Sequence, residues 1–414
     1  MTVRATHDAS AAGNRRRILM VAACPFPAPR GTPVRIHRIA ETLAARGHRV
    51  DVVTYHLGDR ARDLTFGVHR IPRVPTYNRL DPGPSYQKLT LVDALLTARV
   101  LQLAWALRPD LIHAHHYEGL LASLPAHYLL GLPLVFDSHV LLQGELDFYE
   151  LRGLGRARRN RIGGFLDRHL TRRADHVITV TGDMRARLLG DRVVQADCLT
   201  VACNGVEEAF FRGHAGAFPQ DGQRRLLFTG NLAQYQGVDL MLKAFTLLAR
   251  QLANVRLVVA TASDHRAFER LAAANGVLGR VDFLEPRLEE LPDLIASADV
   301  ALNPRTACAG IPQKLLNYMA GGAAVVSFAG SAKHLRHGET GLIVPDDDVA
   351  AFSAAILQLL ADDPLRKRIG AEARLHARQF FSWMSCAALI EDVYDRVLSR
   401  RPPRARVPAP AEPA

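Results

Sequence analysis

The run Gly310-Ile311-Pro312-Gln313-Lys314-Leu315-Leu316-Asn317-Tyr318-Met319-Ala320-Gly321-Gly322, continued by Ala323-Ala324-Val325-Val326-Ser327, reads as loop, helix, glycine break and strand. Pro312 suits the first turn of a helix, where its missing N–H costs no hydrogen bond. Gly321 and Gly322 suit the C-terminal end, where the chain often needs positive φ. The apolar run after them has the length and flanks of a buried parallel strand. A helix opening at Pro312 offers free backbone N–H groups and the positive end of its dipole, which suits a phosphate. Lys314 stands in that first turn, against the dipole. It is either a solvated lysine on an ordinary helix or the charge that meets a docked anion.

The same alternation extends outward in both directions. Near the start, residues 18–23 form a short apolar strand, residues 24–33 a Pro-rich loop holding Gly31 and Thr32, and residues 34–46 a helix. Ile36, Ile39, Ala40 and Leu43 supply the helical period, Gly47-His48 ends it, and residues 50–55 are the next strand. This is a βαβ unit of a doubly wound sheet. Residues 69–84 are Pro- and Arg-rich and read as an irregular loop, followed by a long helix over 86–107. Strands at 110–116 and 134–139 end in histidines, His113, His115 and His116 in one and His139 in the other. In an open parallel sheet such strand ends line the ligand crevice. No acidic or cysteine residue has a convincing spacing to these histidines, so no metal site is expected. Packing or capping remains the plain alternative for them.

A polar, Gly-containing linker follows, and the pattern restarts. Strands are expected at 225–232, 255–260, 281–284 and 298–304, with helices at 238–252 and 288–297. Beyond the opening stretch, Gly341-Leu342-Ile343-Val344 is a turn and strand, and helices cover 349–360, 364–380 and 387–398. At 414 residues the chain exceeds what one core supports. The expected division is an N-terminal domain, 15–200 with a returning helix at 381–400, and a C-terminal domain, 201–380. Residues 1–14 and 401–414 are expected to be disordered tails.

Composition narrows the class. Hydrophobic residues make up 48% and charged residues 22%, the balance of an ordinary globular protein. Five scattered cysteines with no C-x-x-C argue against a disulfide framework and for a reducing compartment. The N-terminus lacks the apolar core of a secretory signal, and no transmembrane helix is expected, so the expected location is cytoplasmic. A net charge of +11 points to an acidic partner. Much of that charge lies in Arg152–Arg173, where Leu154, Ile162, Phe165, Leu166 and Leu170 interleave with arginines. Such a segment suits an anionic membrane surface or a solvated basic face. No recognition motif accompanies it, so nucleic acid is not expected.

Taken in order, these segments resemble the retaining glycosyltransferases of family 4, which have the two-domain GT-B fold, an α/β class of two Rossmann-like domains facing a cleft. The likeness runs from Ile18 to Leu398. It includes strand, glycine loop, helix and G-H-x-V at the start, D-x-I-H-x-H at 110–115, and the strand ending at His139. It continues through Ala174-Asp175 and its strand, Asn204-Gly205-Val206, the Gly230–Gly237 loop, the Ala298–Pro304 strand and the opening stretch. The resemblance implies transfer of a sugar from a nucleotide-sugar donor to a glycan or lipid-linked acceptor, with retention at the anomeric carbon and no metal or other cofactor. It implies His139 as the active-site histidine with His115 nearby. It places the donor against Gly31, Thr32, Gly230, Asn231, Gln236, Arg305, Gly310, Ile311, Pro312, Lys314, Leu315 and Asn317.

The sequence also departs from that pattern. The family run carries two glutamates with seven residues between them, and Ala309 and Asn317 stand at those positions. The family's Arg and Lys that grip the donor pyrophosphate are replaced by Asn231 and Gln236. Each substitution removes a charge-assisted contact of roughly 1.5–3 kcal/mol. The departures leave two readings: an enzyme of a divergent branch, or a non-catalytic GT-B protein serving another transferase. An epimerase of similar architecture needs acid/base carboxylates, for which only Glu145 and Asp147 are near.

Overall fold

The computed structural model of the chain describes residues 15–28, 31–59, 63–78, 87–145, 156–308 and 311–400. Ala309, Gly310, Asp147, Arg152 and the two expected tails lie outside those residues. The chain divides into two compact units, Met1–Cys203 with Ala387–Ala414, and Asn204–Cys386.

In the first unit, β1 (Arg17–Ala22), β2 (Arg49–Thr54), β3 (Gly67–Arg70), β4 (Leu111–His115), β5 (Leu134–Ser138), β6 (His176–Thr179) and β7 (Leu199–Val201) pair in parallel. Their order is β3-β2-β1-β4-β5-β6-β7. The winding reverses between β1 and β4, the switch point at which such sheets bind ligands. Ile18–Ala22 and all of β4 and β5 are buried, as expected of strands covered on both faces. Helix Gly31–Ala45 buries the stripe Ile36, Ile39, Ala40 and Leu43.

Three local expectations need correction. Strand β3 occupies the start of the supposed loop at 69–84; its half-buried Gly67-Val68-His69-Arg70 lacks the apolar run of an inner strand because it lies at the sheet edge. The first helix begins at Gly31 rather than Val34, since the fixed φ of Pro33 fits a first helical turn. The described part of the long helix, from Gln87, opens with a π-type turn, Lys88–Val92, before Asp93–Leu107. By length and composition Thr90–Leu107 could cross a membrane, contrary to expectation, although its stripe Leu96, Val100, Leu103 and Ala104 is buried within this unit.

The second unit repeats the plan with β8 (Arg224–Thr229), β9 (Val255–Ala260), β10 (Val281–Leu284), β11 (Val300–Asn303), β12 (Ala324–Phe328) and β13 (Leu342–Val344). The parallel order is β10-β9-β8-β11-β12-β13, with its reversal between β8 and β11. Helix Gln313–Ala320 follows β11, and Pro312 is its N-cap, so the helix begins one residue after the expected start. At its other end Gly322 has φ 75°, its N–H bonds to Met319 O at 3.1 Å, and Ala323 N–H bonds to Tyr318 O at 3.0 Å. This pair of bonds is the Schellman closure that the double glycine announced.

Gly237 stands where this unit has no room for a side chain. Its φ is +71°, and a Cβ there would lie 2.0 Å from the carbonyl oxygen of Pro304. Gly237→Ala is expected to destabilise the protein by about 2 kcal/mol or more, from left-handed strain and displacement of the loop after β11. A urea-unfolding midpoint equal to that of the wild type would show that the loop yields freely.

Candidate active site

At the switch point of the first unit the chain buries an ion pair. Arg35 and Asp137 have side chains 2% and 0% exposed. Arg35 donates from Nε to Asp137 Oδ2 at 3.0 Å, from Nη2 to Oδ1 at 3.3 Å, and from Nη2 to the carbonyl of Ala202 at 2.9 Å. Three imidazoles surround the carboxylate. His113 and His139 each approach an Asp137 oxygen at 3.8 Å, and His115 at 3.6 Å. Behind them, His113 Nδ1 meets the Tyr394 hydroxyl at 2.7 Å.

His139 is linked on both ring nitrogens. Its Nε2 is 3.2 Å from His115 Nδ1, and its Nδ1 is 3.2 Å from Thr32 Oγ1. The same hydroxyl lies 2.8 Å from Nε2 of His116. His116 holds φ 61° at the junction of β4 and the following helix, a left-handed conformation uncommon outside glycine but one that histidine takes more readily than most. Burial pushes the pKa of His139 well below the usual value, and His116, Arg35, His115 and His113 reinforce it. His115 is lowered in the same way, and burial with Arg35 brings His113 down to about 3. The cluster is therefore a set of neutral imidazoles, able to exchange hydrogen bonds with an uncharged hydroxyl. His139 retains 7% side-chain exposure and His115 none, so of this pair His139 presents an edge, and His116 beside it is half-buried.

His113, His115 and Asp137 have the composition of a cation site, with ligand atoms within 4.8 Å of one another. Sequence spacing had hidden that trio. However, the carboxylate already accepts two bonds from Arg35, which neutralises its charge. A cation placed there would face a buried guanidinium.

In the second unit the loops after β8 and β11 converge on the helix Gln313–Ala320. Tyr318 is fully buried and its hydroxyl accepts from the Thr229 N–H at 2.7 Å, tying the helix to the end of β8. One turn earlier on the same face, Lys314 donates from Nζ to Gln236 Oε1 at 2.8 Å and sits 4.1 Å from the centre of the Phe228 ring. It is not a solvated surface lysine. Burial, then Arg305, lowers its pKa to about 7. The Arg305 guanidinium lies 5.0 Å over the ring of Tyr235. Gly230 has φ +124° with open space where a Cβ would stand, so its backbone is approachable.

The expected donor residues separate on this geometry. Gln236 positions Lys314. Asn231 folds its own loop, with Nδ2 donating to the Tyr235 hydroxyl at 2.9 Å and Oδ1 accepting from Ala233 N–H at 3.2 Å. Asn317 Oδ1 accepts from Gln313 Nε2 at 3.3 Å. Leu315 is fully buried and its N–H bonds to Pro312 O at 2.9 Å, so it belongs to the core. Pro312 is also buried, and Ile311 is half-buried. Gly31 and Thr32 lie in a helix rather than a loop, and the Thr32 hydroxyl serves the histidines. Sequence reasoning missed Arg35, Asp137, Tyr394 and Tyr235. Arg35 did leave a signal, because it shares the row Arg35, Ile39, Leu43 at spacing four with buried apolar residues.

Comparison with known proteins gives these two sites a common context. The family model described as Glycosyltransferase Family 4 matches residues 29–210, and the model described as Glycosyl transferases group 1 matches residues 223–362. A D-inositol 3-phosphate glycosyltransferase of Corynebacterium diphtheriae is 26% identical over 385 residues, covering 88% of this chain and 89% of the relative. Among solved structures, a sucrose-phosphate synthase from Thermosynechococcus elongatus has a TM-score of 0.70 at 19% identity, covering 94% of this chain and all of that one. Anabaena HepE in complex with UDP has a TM-score of 0.69 at 18% identity, covering 92% and 100%. These relatives give no support to the non-catalytic reading. The chain carries, in order, a glycosyltransferase family 4 domain and a glycosyl transferases group 1 domain, has two Rossmann-like domains of the GT-B fold, and is a sugar-transferring enzyme.

Proposed function

We propose that the second unit holds the diphosphate of a nucleotide sugar at Lys314 and Arg305, and that the enzyme passes the sugar to a glycan or lipid-linked acceptor with retention and without a metal ion. The observation that carries this reading is the placement of Lys314. A partly buried ammonium in the first turn of a helix opposes the dipole and is desolvated, and an anion relieves both costs. Negative charge grows on the diphosphate as the sugar leaves. Lys314, Arg305 and the helix N–H groups are preorganised to stabilise it. The two cations stand in for the Arg and Lys that the family carries at positions 231 and 236. His139, neutral and tethered by Thr32 and His115, serves the sugar by hydrogen bonding to a hydroxyl. UDP is the first nucleotide to test, since HepE was crystallised with it.

Calorimetry with UDP, GDP and ADP tests the reading. One of them is expected to bind, and Lys314→Ala to weaken it by about tenfold or more, the loss of one charged contact. Absence of binding by all three to folded protein would overturn the assignment. The pH dependence adds an independent check. With the free ammonium titrating at about 7, binding of an anion at higher pH must take up a proton, so affinity falls as pH rises from 7 to 9. A terminal phosphate with its ionisation near ~6 is already fully charged in that window. The slope should disappear in Lys314→Ala.

A further inference from the structure

In the first unit, helices Asp93–Leu107 and His116–Leu130 pack against each other and against the same sheet. Their inward stripes are apolar, as any such layer requires. Their outward stripes are apolar too: Leu91, Trp105, Leu121, Tyr128 and Leu129 are 47%, 70%, 46%, 58% and 72% exposed. A helix on a soluble surface normally turns charge outward. Here the segment Thr90–Leu107 is only 28% buried while being apolar enough to cross a membrane. Beside this pair runs the basic helix Arg156–Thr171, joined to it by the Tyr117 hydroxyl donating to Asp167 Oδ1 at 2.5 Å. Its Ile162 and Phe165 are 40% and 55% exposed, among the exposed Arg158, Arg161 and Arg168.

The carboxylates of these helices are all spent on internal partners. Asp93 accepts from Tyr55, Glu118 pairs with Lys88, and Asp167 is buried against Tyr117 and the backbone of Leu142 and Gln143. The result is an outer surface of exposed apolar groups, with Trp105 and Tyr128 suited to a lipid interface, and arginines with no exposed acid among the described residues of the three helices.

We propose that this three-helix face docks on an anionic lipid surface. Charge decides the occupant. A second copy meeting the same face would set arginines against arginines, whereas anionic headgroups complement them while the apolar side chains enter the interface. The proposal goes beyond the donor-site reading and stands independently of it, since it uses none of its residues.

The chain has two tryptophans, Trp105 and Trp383, so Trp383→Phe leaves Trp105 as the sole reporter. The full chain is mixed with phosphatidylcholine vesicles, with and without phosphatidylglycerol. Expected are co-sedimentation with the anionic vesicles only, a blue shift of Trp105 emission, and its quenching by brominated acyl chains. Sedimentation of Arg161→Ser/Arg168→Ser, and separately of Trp105→Gln/Leu129→Gln, should show binding weakened roughly tenfold or more, with unchanged thermal transitions. No binding, binding that ignores phosphatidylglycerol, or binding without quenching would each overturn the proposal. So would a dimer in gel filtration that Leu129→Gln converts to monomer, because a second copy would then cover the face.

Discussion

His139→Ala is expected to lower the rate of sugar transfer by about a hundredfold or more while leaving nucleotide affinity within about twofold of the wild type. The separation of effects follows from placement. His139 belongs to the first unit, whereas the residues assigned to the diphosphate, Lys314 and Arg305, belong to the second. Removing the imidazole therefore takes away a group for the sugar and leaves the phosphate contacts whole. It also leaves the Thr32 hydroxyl to His116 alone and His115 Nδ1 without its neighbour, so the remaining imidazoles lose their orientation. His139→Gln, which keeps a donor and an acceptor, should recover part of the rate. Because burial holds the His139 pKa well below 6.5, its neutral form persists through pH 6 to 8 and contributes no titration step there. Single-turnover transfer and calorimetry on the same preparations measure the two effects. Unchanged turnover would remove His139 from the site.

Arg35→Met should destabilise the first unit by about 3–5 kcal/mol, the usual consequence of stranding one member of a buried ion pair. Asp137 would lose both hydrogen bonds in a fully buried position, and Ala202 would lose the donor to its carbonyl. The stranded carboxylate would then take up a proton, because burial already raises its pKa and Arg35 is the group that opposes the rise. Arg35→Met/Asp137→Leu removes both charges and should recover much of the loss, as apolar replacement of buried pairs often does. Activity gives the second readout. The double variant should fold yet transfer sugar poorly, since three imidazoles lose the carboxylate they surround. Urea denaturation of the four proteins forms the cycle. Additive effects of the two single substitutions would show that the pair is not coupled.

The sequence determined the parts with a local cause. Inner parallel strands are short apolar runs because both faces are covered, so β1, β4, β5 and β12 were legible. The double glycine after Met319-Ala320 marked a Schellman closure, because Gly322 needs a positive φ. His139 and Lys314 stood out as polar residues at a strand end and a helix start, where α/β sheets bind ligands. The edge strand β3 was not legible, because a strand paired on one side only has no need of a continuous apolar run. Partnership was decided by the tertiary structure alone. Arg35 lies 102 positions from Asp137, Lys314 78 from Gln236, and His113 281 from Tyr394. Nothing local in the chain specifies those contacts. They exist because the strand order places β1 beside β4 and β8 beside β11, bringing distant segments together within each unit. The burial there makes the imidazoles neutral and lowers the pKa of the lysine.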